Sequence, residues 1–261
     1  MDGDNLPVII CMKWGTLYSP DYVNVLYHAV QENLNIPHKF VCLTDDEDGI
    51  VDGVQCYPIP DPLAKDAFTR RGCWPKLSLL QPDLYGLKGR ALFIDLDTII
   101  YGDLKPLLEA KGEIILIREW RRFVDYFRVW QVNGQTSIFA FNLGELSYIY
   151  EAYAADPEGA CEQFRNEQRF VTHYAKSMKF WSHPMVISFK RHLMAPPFIN
   201  RFLKPKEPSE ETSILVFHGI PRPIDVVPDN QQAWGKFFRY GRGTVQYVRD
   251  YWLKYGGKDP T

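Results

Sequence analysis

Within residues 7–46 three segments follow one another: an apolar run PVIICM (7–12), a helically spaced stretch SPDYVNVLYHAVQENLN (19–35) and a second apolar run HKFVCLTDD (38–46). Strand, helix and strand at this spacing argue for a βαβ unit, because two parallel strands need a crossover element between them. Ser19 is placed to cap the helix and Pro20 suits its first turn, while Val23, Leu26, Tyr27, Val30 and Leu34 form its apolar stripe. Further strands are predicted at VQCYPIP (54–60), ALFIDLDTII (91–100), EIILIRE (113–119), QTSIFAFN (135–142) and SILVFHG (213–219). Helices are predicted at WPKLSLLQPDL (74–84), ELSYIYEAYA (145–154) and ACEQFRNEQRFVTHYAKS (160–177), and HLMAPPFINRFLKPKEPSEE (192–211) reads as proline-rich and irregular. The whole is one α/β domain, a Rossmann-like, mostly parallel central sheet flanked by helices.

At 46% hydrophobic and 24% charged residues the chain can bury a substantial core, so it is globular. A net charge of −2 leaves no electrostatic footprint for nucleic acid. The five cysteines form no C-x-x-C pair, and Cys11, Cys42 and Cys56 lie in or beside apolar runs, which predicts free, buried thiols. With no leader-like start, no membrane-length apolar run and no N-x-S/T acceptor, a cytoplasmic location is expected. The P-loop, HExxH, GxSxG and Rossmann signatures are absent from the sequence.

The run at 91–100 carries two carboxylates in an otherwise apolar segment. If the strand is continuous, Asp95 and Asp97 share one face and need a shared proton or a cation. The alternative is a strand that ends at Asp95, with Asp97 a solvated turn residue. Open α/β sheets bind ligands beyond the carboxyl ends of their strands. Other strand ends carry Lys13 with Trp14, Gly15, Thr16 and Tyr18, then Asp45 with Asp46, and His218 followed by Gly219 and Arg222. Two carboxylates with one imidazole suit manganese, with magnesium as the alternative, better than zinc or calcium. Arg70, Arg71, Lys76 and Arg222 are the candidate cations for a nucleotide diphosphate.

The ordered segments VIICMKWGTLYSPDYVNVLYHAV, FVCLTDD, WPKLSLLQP, ALFIDLDTIIYGDL, FAFNLGE, NEQ and FHGIPRP together resemble the nucleotide-sugar glycosyltransferases of GT-A fold, and are most similar to glycosyltransferase family 8. The resemblance implies a GT-A domain over 1–230, with a nucleotide-binding half at 1–118 and an acceptor half at 119–230. By it, Asp95, Asp97 and His218 would hold manganese, and Lys13 to Tyr18 with Asp45 would hold the nucleoside of a UDP-sugar. Gly219 and Arg222 would touch its diphosphate, with Arg71 and Lys76 the candidate cations already named for it, and Glu167 and Gln168 would face the donor sugar in a retaining, hexosyltransferase-like transfer to a glycan or glycolipid. Where the family commonly has Asn or Ser before Gly, this chain has Ser137 before Ile138.

FIDLDTII also resembles the first motif of haloacid-dehalogenase-type phosphatases, and a non-catalytic nucleotide-sugar-binding module is a further reading. Residues 231–261 form a basic, aromatic, helical tail in which Val245, Val248, Trp252 and Tyr255 mark one face. Peripheral association with the inner face of a membrane is one expectation for it, and packing on the domain is the other.

Overall fold

The computed structural model describes residues 6–120, 132–197, 199–235 and 240–260. Strands β1 (Val8–Lys13) and β2 (Lys39–Thr44) pair in parallel and are joined by helix α1 (Pro20–Asn33), the predicted βαβ start. Ser19 occupies the N-cap position, but its hydroxyl makes no capping bond; its carbonyl accepts from Tyr22 N–H at 3.1 Å instead. Strand β3 (Gln55–Tyr57) adds to β2, and Cys11, Cys42 and Cys56 lie level across the three strands as free thiols.

The run at 91–100 is not one strand. β4 (Arg90–Ile94) stops before Asp95, and β5 (Thr98–Ile100) belongs to a different sheet. After α2 (Lys105–Glu109), strands β6 (Ile114–Arg118), β7 (Gly134–Asn142) and β8 (Met178–Phe180) complete a seven-stranded sheet in the order β3-β2-β1-β4-β7-β6-β8. It is mostly parallel; β7 alone runs antiparallel to both its neighbours, β4 and β6. Helix α3 (Ser147–Ala155) lies where predicted, but the helix expected over 160–177 is two, α4 (Pro157–Gln163) and α5 (Glu167–Tyr174). The division is made by caps: Asp156 accepts from Gly159 N–H, and Asn166 accepts from Arg169 N–H.

Strands β9 (Val186–Ser188) and β10 (Ile214–Val216) form a small second sheet with β5. β10 pairs antiparallel with β5 and parallel with β9, so His218 follows a strand of this sheet and not of the large one, as the sequence had implied. The large sheet is packed on both faces, as alternate residues of a buried strand require. Ile9 and Cys11 point to the side shared with α1, the small sheet and helix α6 (Gln246–Lys254). Val8, Ile10 and Met12 point to the side covered by the 3-10 helix Trp74–Leu80, α3 and α5.

The predicted face of the tail, Val245, Val248, Trp252 and Tyr255, is buried in that first core. Arg249 bonds the Val227 carbonyl at 2.9 Å and pairs with Asp259, while Lys254 pairs with Glu32. This apolar face is therefore spent on the domain and is not open to a bilayer. Lys236, Phe237, Phe238 and Arg239 of the same tail lie outside the described residues. Trp252 is 2% exposed, meets Tyr22 edge-on at 5.0 Å and donates its indole N–H to the Lys258 carbonyl at 2.7 Å. Trp252→Ala will accordingly cost about 3–5 kcal/mol of stability in urea unfolding; a loss under about 1 kcal/mol would mean that the tail is no part of the core.

Candidate functional site

Asp95 still follows the large sheet, its N–H donating to the Ser137 carbonyl at 2.8 Å. The chain then turns out of it. Thr98 hydroxyl donates to the Asp95 carbonyl at 2.7 Å, and Phe217 N–H to the Asp97 carbonyl at 2.9 Å, so the D-x-D segment is the hinge between the sheets. Leu96 goes into the core and both carboxylates stay half-buried beside it.

The cation that the carboxylates call for is on the chain itself. Lys76, on the 3-10 helix and 4% exposed, places Nζ 2.6 Å and 2.7 Å from the two Asp95 oxygens. Nζ also donates to the Thr136 carbonyl at 3.2 Å and lies 5.0 Å from the centre of the Phe93 ring. Burial opposes the Lys76 charge, but Asp95 outweighs it and holds the ammonium's pKa above the ordinary lysine value. Burial, and then the charge of Asp95, push the Asp97 carboxyl up to about 8, with Lys76 and Lys190 working the other way.

Glu167 opens α5 and is 1% exposed, so it does not present a free carboxylate to a donor. One oxygen accepts from Cys73 N–H at 2.7 Å and the other from Thr136 hydroxyl at 2.9 Å. It braces the loop before the 3-10 helix against β7, the strand whose Thr136 carbonyl binds Lys76. Gly72 lies hard against this brace with φ +102, where an added Cβ would sit 2.9 Å from Asn166 Cβ and 3.0 Å from Glu167 Oε2. Gln168, next along α5, is half-buried.

The loop after β1 is drawn to the end of β2. Gly15, at φ +59, donates its N–H to Asp45 at 2.8 Å, and Lys13, 3% exposed, reaches the Asp46 carbonyl at 3.1 Å. Trp14 packs edge-on against Phe68 at 6.0 Å, and Thr16 is exposed. Tyr18 packs on Tyr22 at 4.9 Å; burial, followed by Asp97 and Asp95, raises its phenol, which puts this loop beside the carboxylates.

On the opposite side, His218 Nε2 is 2.7 Å from Ser188 Oγ, and Trp120 stacks on the ring at 5.4 Å. Burial and then Lys190 depress this imidazole to about 3, so it is neutral. Lys190 sits on a π-helical turn, Phe189–Leu193, and donates to the carbonyls of His218 and Ile220 around Gly219, whose φ is +70. Lys190, Ser188 and Trp120 were not picked out from the sequence: Ser188 and Lys190 lie in no motif or predicted strand, and Trp120, which directly follows the strand predicted over 113–119, carries no ionisable group.

The expected metal ligands do not come together as a set. Among the described residues no group of three or more His, Cys, Asp or Glu side chains is placed to hold a metal ion. Both Asp95 oxygens are engaged by Lys76 and the His218 Nε2 by Ser188, so Asp95, Asp97 and His218 are not preassembled as a three-ligand set. Of the candidate diphosphate cations, Arg70 is paired instead with Glu158 of α4 at 2.9 Å, and Arg71 is exposed. Arg222 pairs with Asp225 at 3.2 Å and donates to the Leu17 carbonyl at 3.4 Å, which ties it to the loop after β1.

This arrangement, a mostly parallel sheet with charged residues gathered at its carboxyl edge, is that of glycosyltransferase folds. The galactosyltransferase LgtC, solved with donor and acceptor sugar analogues, matches with TM-score 0.55 at 10% identity over 83% of this chain and 88% of its own. WbbM, a bifunctional glycosyltransferase, matches at 0.58 and 12% identity over 99% of this chain and 50% of its own. GlyE of Streptococcus pneumoniae TIGR4 matches at 0.54 and 14% identity over 98% and 61%. At these identities the likeness is one of fold. No protein-family model and no curated protein sequence matches the chain.

Removing one partner of the buried pair strands the other. Lys76→Met will lower unfolding free energy by roughly 3–5 kcal/mol, and adding Asp95→Leu will restore most of that loss. A double variant no more stable than Lys76→Met would mean that the pair is not what holds these elements together.

Proposed function

We propose that the chain is a glycosyltransferase, related to family 8, that moves a sugar from a nucleotide-diphosphate donor, a UDP-sugar first, to a glycan or glycolipid. The observation that carries this reading is the meeting of the loop after β1, the Asp45 end of β2, the D-x-D hinge and the His218–Arg222 turn on a glycosyltransferase-like sheet. In this reading the nucleoside lies along Lys13 to Tyr18, where Asp45 already fixes the Gly15 backbone. The diphosphate lies over the Gly219 turn, whose open φ lets an anion approach the backbone. Positive charge from Lys190 and Arg222 favours the departing diphosphate, the sort of fixed electrostatic term that lowers a barrier most.

Glu167 acts here as a positioning residue: it fixes Thr136 and the Cys73 loop, and through them Lys76 and Asp95. Gln168 is the half-exposed neighbour left to face the sugar. Retention at the anomeric carbon belongs to the same proposal, as do a hexosyl donor, manganese or magnesium beside Asp97 and the diphosphate, and a reducing, cytoplasmic setting for the free thiols. No step is routed through the metal. The phosphatase reading expects its motif on the first strand of the core, whereas β4 is the fourth.

Incubation with UDP-, GDP-, ADP- and CMP-sugars should release free nucleotide from one donor class. Calorimetric binding without release would leave a binding module, and neither binding nor release, with or without manganese, would sink the proposal. Asp97→Asn should weaken UDP affinity in manganese by ~10-fold or more while leaving the melting temperature near that of the wild type.

In Glu167→Gln the new amide can satisfy only one of the two donors at that position, Cys73 N–H and Thr136 hydroxyl. The variant should therefore lose about 1–3 kcal/mol of stability together with kcat, whereas an unchanged melting temperature would show that Glu167 is not a brace.

A further inference from the structure

A tryptophan drawn even partly out of water ordinarily finds an acceptor for its indole N–H. Trp74, Trp181, Trp234 and Trp252 do so here, donating to the carbonyls of Arg71, Ile138, Gly243 and Lys258 at 2.6–3.4 Å. Trp14 and Trp120 are also half-buried, yet among the described residues neither indole N–H has an acceptor. Trp14 belongs to the loop along which the nucleoside is proposed to lie. Trp120, two residues beyond β6, has no such role, and its N–H is unspent on the opposite side of the D-x-D hinge.

His192, on the π-helical turn, repeats the pattern. Its Nδ1 lies 2.9 Å from Ser188 N and 3.2 Å from the Ser188 carbonyl. A backbone N–H can only donate, so the shorter contact makes Nδ1 the acceptor and puts the ring proton on Nε2. Burial, and then the charge of His183, hold this imidazole below the ordinary histidine value, so it is neutral. Among the described residues Nε2 has no hydrogen-bond partner. The two unspent donors are neighbours: the Trp120 and His192 rings meet edge-on at 5.7 Å, exposed His183 lies 5.0 Å from His192, and Trp120 stacks on His218 at 5.4 Å. A row of four rings thus runs from the surface at His183 to the imidazole that precedes the Gly219 turn.

We infer that Trp120 and His192 form a subsite for a neutral sugar ring, whose hydroxyl oxygens accept from the indole N–H and from His192 Nε2–H while its C–H bonds lie against the aromatic row. A sugar supplies both things these groups lack, acceptor oxygens for two uncharged donors and an apolar face for the rings. An anion suits them less well: neither donor carries charge, and Lys190 of the same turn already donates to the carbonyls of His218 and Ile220. Arg191 is exposed on that turn and is the charge an acidic sugar would use. The row ends beside the turn proposed for the diphosphate, which is where an incoming hydroxyl has to be held. That the bound sugar is the acceptor rests on the transfer reading above; that a sugar binds here does not.

The test is saturation-transfer NMR of the full chain, with and without UDP, against the methyl glycosides of galactose, glucose, N-acetylglucosamine and glucuronic acid. At least one neutral glycoside is expected to bind. Trp120→Phe keeps a ring to stack on His218 and removes the N–H, and His192→Asn keeps an acceptor for Ser188 N–H and removes Nε2–H. Each should weaken that binding about fivefold, the worth of one net hydrogen bond, at the melting temperature of the wild type. Where transfer is seen, each should raise the acceptor KM more than it lowers kcat. No binding of any neutral glycoside, or binding unchanged in both variants, overturns the inference, and so does a preference for the glucuronide that Arg191→Gln removes. Sugar binding without nucleotide release from any donor would sink the transfer reading and leave the subsite standing; nucleotide release without sugar binding would do the reverse.

Discussion

The contact between Lys76 and Asp95 joins a 3-10 helix to the end of the central strand β4, and most of the candidate site is set by it. Taking an ammonium and a carboxylate out of water costs several kcal/mol each, and only close geometry with further hydrogen bonds offsets that. Here both Asp95 oxygens lie within hydrogen-bond reach of Nζ, and a further ammonium proton goes to the Thr136 carbonyl. Thr136 in turn is held by Glu167, and Glu167 by the Cys73 backbone next to the same 3-10 helix. Four segments far apart in sequence are closed into one ring of polar contacts. Its rigidity matters because Asp97, two residues on, has its pKa raised first by burial and then by the charge of Asp95, whose position the ring fixes.

The second determinant is the hinge. After Leu96 the chain leaves a sheet packed on both faces and enters a small one, so Asp95 and Asp97 occur where backbone groups must find partners in two different sheets. Ser137 supplies one from β7, and Phe217, just past β10, supplies the other. That second bond brings His218, Gly219 and Lys190 to the carboxyl edge of the large sheet. A site of this kind takes its groups from strands of both sheets, and the antiparallel β7 contributes its amino end, Gln135 to Ser137, at the same edge.

The likeness to glycosyltransferases of known structure covers 83–99% of the chain at 10–14% identity, which is enough to fix the architecture and too little to transfer a role to any side chain. The chemistry has to be read from the residues in place. They assemble a loop after β1 tied to Asp45, a neutral histidine and several cations; they also turn the expected catalytic glutamate into a brace and give Asp95 to a lysine in place of a preformed metal set.

By itself the sequence determined the local elements and the edge at which they meet. The alternation of apolar runs with a helical stripe at 7–46 led to a parallel sheet, and the polar residues ending those runs pointed to its carboxyl side. These follow from periodicity and burial, which act within a few residues. Where the chain changes sheet, which carboxylate receives the lysine and where a helix is cut were decided by tertiary structure. Asp95 looks the same in sequence whether a metal or Lys76 neutralises it; the choice lies with a helix 19 residues earlier that packing brings within 2.6 Å. The tail illustrates the same limit: an apolar stripe with basic flanks suits a membrane or a core equally, and here the open ground beside Tyr22 and α1 took it into the core. Phe202 and its neighbours, hidden in a stretch with no periodicity, were left outside because their own turn holds them there.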